Sequence, residues 1–286
     1  MRTLQMIYRQ GKQQLAQAGI DTPAFDAMCL FEHSFGMDRQ ALLLYGDQPA
    51  GSPEQEQDFF ALISRRAQRY PLQYLVGQWP FCDLSLCMGE GVLIAREDTA
   101  VLVQVAAEMI QTPQALVFDL CAGTGAVGLA LAAQLPQIQV HCIEKYDAAF
   151  VYLQQNITRC KKQGIANVAV VQGDILQLNF AQQLPQPDAI VANPPYIETA
   201  ELPALQEEVQ HEPRTALDGG VDGLLFYRAI ADLWLPKLKS GGVVAVEIGE
   251  QQEQAVAALF SAAGVSQFCF PKDSGGIIRV VAGIKQ

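Results

Sequence analysis

The chain has 286 residues, half of them apolar, which is enough to bury a sizeable core in one large domain and a smaller one. No run of eighteen apolar residues occurs, and the start, MRTLQMIYRQGKQQ, is polar and helical, so a cytoplasmic, unprocessed chain with no membrane span is expected. The net charge of −11 disfavours nucleic acid as the main substrate, because affinity for phosphates normally needs a basic surface. A local basic patch, such as Arg65, Arg66 and Arg69, is still compatible with an acidic protein.

Seven cysteines are scattered without a C-x-x-C pair, and His33, His141 and His211 lie far apart. Core thiols of an intracellular protein, with no metal site, are the expectation.

Residues 1–71 carry helical periodicity, as in Phe25, Met28, Cys29 and Phe31, then Phe59, Phe60 and Ile63. Asp21-Thr22-Pro23 and Gly51-Ser52-Pro53 supply helix starts. Residues 72–96 alternate short extended runs with Gly77, Pro80 and Gly89-Glu90-Gly91, which predicts a β-hairpin connector. From residue 97 to 286 a single α/β domain is expected. LVFDL, VHCIE, VAVVQG and DAIVAN alternate with helical stretches, the pattern of a parallel sheet covered on both faces. A helical stretch LLFYRAIADLWLPKL, the run GGVVAVEIG and an antiparallel pair around residues 272–276 complete it.

After the first strand of this domain comes Asp119-Leu120-Cys121-Ala122-Gly123-Thr124-Gly125-Ala126-Val127-Gly128. Glycines there let the backbone turn tightly and approach a ligand, although G-x-G-x-x-G alone fits a dinucleotide as readily as another adenosine cofactor. Glu144, about twenty residues on at the next strand end, is placed to accept from ribose hydroxyls; a solvated carboxylate is the alternative. Asp174 and Ile175, ending the third strand, suit an adenine wall, although Asp174 could equally cap a turn.

Asn193-Pro194-Pro195-Tyr196 follows the fourth strand, at the carboxyl edge where open α/β sheets bind ligands. The lone pair of an amide or aromatic amine nitrogen is delocalised, so methylation requires the NH2 group to be held in place. The Asn193 side-chain carbonyl and the Pro194 backbone carbonyl can each accept one of its N–H groups. The prolines stiffen that aim, and Tyr196 offers a face for stacking. This segment selects the chemistry and leaves the substrate open between a side-chain amide and an adenine amino group.

Together with FDAMCLFEHSFGMDR, RRAQRYPLQYLVG, VLIAREDTAVLV, HEPRTALDGGVDGLLFYR and KDSGGIIRVV, these segments resemble the PrmC/HemK family of release factor glutamine methyltransferases over nearly the whole chain. The resemblance implies a Rossmann-like class I fold with a small helical N-terminal domain that grips the release factor. It also implies methyl transfer from S-adenosyl-L-methionine, leaving S-adenosyl-L-homocysteine, to the glutamine of the Gly-Gly-Gln loop of class 1 peptide chain release factors. Cofactor contacts would fall on Asp119, Cys121, Ala122, Gly123, Thr124, Gly125, Glu144, Asp174, Ile175 and Asn193. Asn193, Pro194, Pro195 and Tyr196 would hold the glutamine, and the enzyme would act as a monomer. Two departures stand out. Cys121 replaces the family's first glycine and keeps the turn if its φ is negative. Ala95-Arg96-Glu97-Asp98-Thr99-Ala100 replaces P-R-P-E-T-E, leaving Glu97 or Asp98 to stand in for a supporting carboxylate. The competing readings are an adenine-amino nucleic acid methyltransferase, which needs a basic groove, a catalytically impaired binding homologue, and a nicotinamide oxidoreductase, which leaves N-P-P-Y unexplained.

Overall fold

The computed structural model describes residues 2–286, which form two compact units. The first takes the chain to Gln78 and adds the short segment Gln206–His211. Its helices are α1 (Leu4–Gln17), α2 (Pro23–Phe35), α3 (Arg39–Tyr45), α4 (Pro53–Ala67) and α5 (Leu72–Val76). Leu4, Ile7, Gly11 and Leu15 fall on one stripe of α1 and are buried. A Cβ on Gly11 would stand 2.5 Å from the Phe59 ring, so the absent side chain lets α1 and α4 approach closely. Ser52 and Gln55 form a capping box at α4, with Pro53 in the first turn. At α2 the Thr22 hydroxyl donates to Asp26 (2.7 Å) and does not cap the helix.

Arg65, Arg66 and Arg69 each have a partner within the unit. Arg66 is buried and donates to Asp26 (2.6 Å) and Glu208 (3.1 Å). Arg69 reaches Glu208 and the Gly19 carbonyl, while Arg65 lies 4.0 Å above the Tyr70 ring. Acidic partners and an aromatic face absorb the charge, one of them from a segment about 140 residues away.

The hairpin strands β1 (Gln78–Phe81) and β2 (Leu84–Cys87) pair as a two-stranded sheet. The second unit continues through α6 (Thr99–Met109), β3 (Leu116–Leu120), α7 (Ala126–Gln134), β4 (Gln139–Glu144), α8 (Asp147–Lys162), β5 (Val168–Gln172), α9 (Leu178–Gln183) and β6 (Ala189–Ala192). It ends with α10 (Leu225–Ala229), β7 (Val243–Glu247), α11 (Glu253–Ala262), β8 (Val265–Cys269) and β9 (Val280–Lys285). A π turn over Ile230–Trp234 and a 3₁₀ turn over Leu235–Lys237 follow α10 directly, so the expected single helix is irregular where Pro236 withholds a donor.

The seven-stranded sheet has the order β5-β4-β3-β6-β7-β9-β8, parallel except for β9, which runs antiparallel to both neighbours. Strands β6 and β7 are buried on both faces, as a helix-covered sheet requires. One face packs Phe118, Leu120, Ile190 and Val244 against Tyr227, Trp234 and Phe260. The chain runs outward from β3 through β4 to β5, then returns to the other side of β3 as β6. That reversal opens a crevice at the carboxyl ends of β3 and β6, where both the glycine loop and Asn193 emerge.

Candidate active site

A cavity, partly open to solvent, occupies this crevice. Of the expected cofactor contacts, Asp119, Cys121, Ala122, Gly123, Thr124, Glu144, Asp174, Ile175 and Asn193 line it; Gly125 does not. Gly125 instead takes φ +83° at the start of α7, with Leu153 pressed where its Cβ would be. Gly128 has Cys142 Sγ and Asp119 Oδ2 at 2.5 and 2.8 Å from the site of its missing Cβ, which lets α7 lie close on the sheet. Gly123 (φ +55°) differs: a Cβ there would meet only Val92, at 3.8 Å.

Cys121 has φ +61°, so the condition of a negative φ is not met. The turn needs the left-handed conformation that the family's glycine adopts freely, and this chain places an L-residue there at a cost of about 1–2 kcal/mol. Burial also pushes the Cys121 thiol up, keeping it protonated.

The acids of the cavity are held by backbone. Glu144 is 6 % exposed and accepts from the Gly123 amide (2.9 Å) and from the Lys145 and Tyr146 amides (2.8 Å each). A carboxylate has about four lone-pair sites, so roughly one remains for a ligand hydroxyl. Asp119 accepts from the Gly128 amide (2.8 Å), and burial lifts its pKa to about 7. Asp174 accepts from the Leu176 amide (3.0 Å) and pairs with Lys145 (2.9 Å), so it does cap its turn while facing the cavity. Ile175 is buried and its carbonyl accepts from the Trp234 indole.

Of the tetrapeptide, Asn193 and Pro195 line the cavity. Asn193 Nδ2 donates to Thr99 Oγ1 (3.2 Å). Pro194 and Pro195 are buried, and burial pushes the Tyr196 hydroxyl above its ordinary value, so it stays protonated. The backbone beyond is clamped to residues 217–223. Ile197 N donates to Leu217 O (3.0 Å), Gly219 N to Ile197 O (2.8 Å) and Thr199 N to Gly220 O (2.9 Å). A Cβ on Gly219 would lie 2.7 Å from Tyr196 Cα, and one on Gly223 would lie 2.4 Å from Tyr196 O. Gln252 Nε2 donates to the same Tyr196 carbonyl (3.0 Å).

Two charged residues of the altered motif are paired. Arg96 pairs with Glu212, whose other oxygen accepts from the Ile94 amide (2.9 Å). Asp98 pairs with Arg279 (3.1 Å), and Arg279 with Asp273 (2.7 Å). Sequence reasoning did not single out Glu212 or Glu247. Glu247 is an acid that ends an apolar strand, as Glu144 does, and the pairing of Ala192 with Val246 sets it beside Asn193.

A parallel sheet reversed at β3, a glycine loop and an Asn-Pro-Pro-Tyr corner on one crevice define a Rossmann-like methyltransferase domain, and residues 96–225 match the "Methyltransferase small domain" model. Residues 7–77 match the "PrmC N-terminal domain" model. The chain is 40 % identical over 271 residues to the release factor glutamine methyltransferase of Geobacter sulfurreducens, covering 94 % of this chain and 92 % of that one. It is 35 % identical over 288 residues to the enzyme of that name from Caulobacter vibrioides, covering 99 % and 96 %. The chain therefore belongs to the release factor glutamine methyltransferase family. In fold alone it is similar to the hMettl16 catalytic domain solved with an RNA hairpin, at a TM-score of 0.55, 13 % identity and coverage of 82 % and 83 %. Among the described residues no helix is long and apolar enough to cross a membrane, and no cluster of His, Cys, Asp or Glu could hold a metal ion.

Proposed function

We propose that this chain methylates the side-chain amide nitrogen of the Gly-Gly-Gln glutamine of class 1 peptide chain release factors, with S-adenosyl-L-methionine as donor, in the cytoplasm and as a monomer. The observation that carries the reading is the position of Asn193 on the wall of the same cavity that the glycine loop and Glu144 line. The cavity fits an adenosine-bearing ligand: open space at Gly123, an acid at the strand end and an apolar wall at Ile175 and Phe226.

When bound, the donor supplies an electrophilic methyl on a sulfonium. Asn193 Oδ1 and the Pro194 carbonyl accept the two N–H groups of the glutamine amide and fix its plane. The buried prolines keep those acceptors in place, so the chain contributes position and electrostatics without a charged base. The helical unit and its segment Gln206–His211 are assigned to gripping the release factor body. Arg66 and Arg69 of this unit are already paired with acids and Arg65 is stacked on an aromatic ring, which argues against a nucleic acid surface at these three residues.

The test is labelled methyl transfer with purified release factor, the same factor lacking the loop glutamine, and DNA. Label on the intact factor alone supports the reading, and label on DNA alone overturns it. Asn193→Ala is expected to slow the chemical step by about 10²–10³-fold with cofactor affinity within a few fold; unchanged turnover would remove Asn193 from the mechanism.

A further inference from the structure

Glu247 is 2 % exposed, does not line the cavity, and its Oε2 has no hydrogen-bond partner among the described residues. A buried carboxylate in that condition is costly and calls for a reason. It stands beside two cavity residues, Thr99 and Asn193: the register of β6 and β7 sets it next to Asn193, and both side chains favour its ionised form. We propose that Glu247 is a positioning residue that fixes which way the Asn193 amide faces. The proposal rests on the methyl-transfer reading above.

Hydrogen bonding here runs in one direction. An ionised carboxylate only accepts, so in the proposed arrangement the single hydroxyl hydrogen of Thr99 is directed at Glu247. Thr99 Oγ1 is then left as an acceptor, and it takes one Asn193 Nδ2 hydrogen at 3.2 Å. In the proposed arrangement the other Nδ2 hydrogen is directed at Glu247, which the register of β6 and β7 sets beside it. Both donors of the amide are thus consumed on the protein side, and Oδ1 remains as an acceptor for a substrate NH2. If the amide turned over, its oxygen would face an acceptor and its NH2 would face the substrate's NH2, and both contacts would repel. A glutamine at 247 can donate as well as accept, and removes that discrimination while keeping the shape.

Protonating Glu247 has the same effect in part, since it converts one acceptor into a donor. Burial lifts its pKa to about 7, with Thr99 hydrogen bonding and the Arg279 charge opposing and Asp98 adding to the rise. Tyr196 from the tetrapeptide loop also faces it, and Tyr227 of α10 donates to its backbone carbonyl (2.8 Å). Arg279 is itself shared with Asp98 and Asp273.

The experiment compares wild type, Glu247→Gln and Glu247→Asp in the release factor assay, with cofactor affinity measured directly and thermal midpoints as a folding control. Glu247→Gln is expected to fold, to bind cofactor within about threefold of wild type, and to lose about 10–100-fold in kcat. Glu247→Asp, which keeps an acceptor-only group, is expected to recover part of that rate. Wild-type kcat is expected to fall on the acid side of pH about 7, and the glutamine variant to lack that limb. A Glu247→Gln enzyme with kcat within twofold of wild type, or with the same acid limb, overturns the role of Glu247. A wild type that leaves the release factor unlabelled overturns the substrate instead, so the two failures are told apart.

Discussion

Gly219 gives a sharp test of how the tetrapeptide is held. Its Cβ would fall 2.7 Å from Tyr196 Cα, 2.8 Å from Tyr196 C and 2.9 Å from Pro195 O. All three are backbone atoms, so no side chain can swing away. Relaxing the shortest contact to the 3.4 Å of ordinary packing requires a movement of about 0.7 Å, shared between two segments locked by the hydrogen bonds of Ile197 and Gly219. Overpacking of this kind costs about 1–3 kcal/mol. A shift of that size in a group that positions a substrate costs up to about 10²-fold in rate. Gly219→Ala is therefore expected to lower stability by about 1–3 kcal/mol and kcat by about 10–100-fold, with cofactor binding little changed. Gly164→Ala is the control, because Gly164 has φ +93° and nothing within 4 Å of its Cβ position. It should lose about 1 kcal/mol to left-handed strain and keep full activity. Urea unfolding and single-turnover methyl transfer measure both quantities. Equal activity in the two variants, at equal loss of stability, would refute the argument that Gly219 places Tyr196.

Cys121→Gly is expected to be neutral or to gain up to about 1 kcal/mol, since relief of the left-handed strain outweighs the entropy that glycine adds to the unfolded chain. Cys121→Val should lose about 2 kcal/mol or more, and a valine variant as stable as wild type by thermal unfolding would contradict the strain. Asp119 carries a pKa raised by burial from 3.8 to about 7, so the folded chain holds a proton that the unfolded chain releases. Its contribution to stability is full below the unfolded value and is lost as pH rises to about 7. Asp119→Asn should accordingly gain about 2–3 kcal/mol relative to wild type between pH 5 and pH 8; a pH-independent difference in urea unfolding would show that Asp119 is not held protonated.

The strands were readable because β6 and β7 are buried on both faces, which forces unbroken apolar runs such as DAIVAN and VVAVE bounded by polar ends. The glycine loop and the tetrapeptide were readable because each combines residues that packing alone does not select. Other features depend on partners distant in sequence. Arg66 reads as surface charge until Glu208 comes within 3.1 Å of it. Leu72–Val76 reads as extended after Pro71, yet Pro71 starts one helical turn that Gly77 closes at φ +76°. The handedness of Cys121 has no local signal, because the family's glycine is needed only where the turn is left-handed, and a cysteine does not report its φ. Glu247 was visible in principle: an acid ending an apolar strand adjacent to the one that delivers Asn193.

The segment between Leu217 and Gly223 joins these observations. Its glycines look like loop filler, since Gly219, Gly220 and Gly223 have no side chain to contribute to any pattern. In the fold Gly219 and Gly223 form the surface on which the Pro195–Tyr196 backbone rests, and neither leaves room for a methyl group. Just before it, Glu212 holds the connector through Ile94 and Arg96, and Asp218 accepts from Thr199 (2.6 Å) beyond the tetrapeptide. One stretch thus fixes the connector and the Asn-Pro-Pro-Tyr corner together. An Asn-Pro-Pro-Tyr corner can occur at other crevices, but this stretch pins its far side here, so the specificity of HEPRTALDGGVDGL lies in backbone contact more than in side-chain chemistry. For the same reason substitutions at Gly219 and Gly223 should act on methyl transfer before they act on cofactor binding, because the glycine loop at β3 and the acid at Glu144 make none of these contacts.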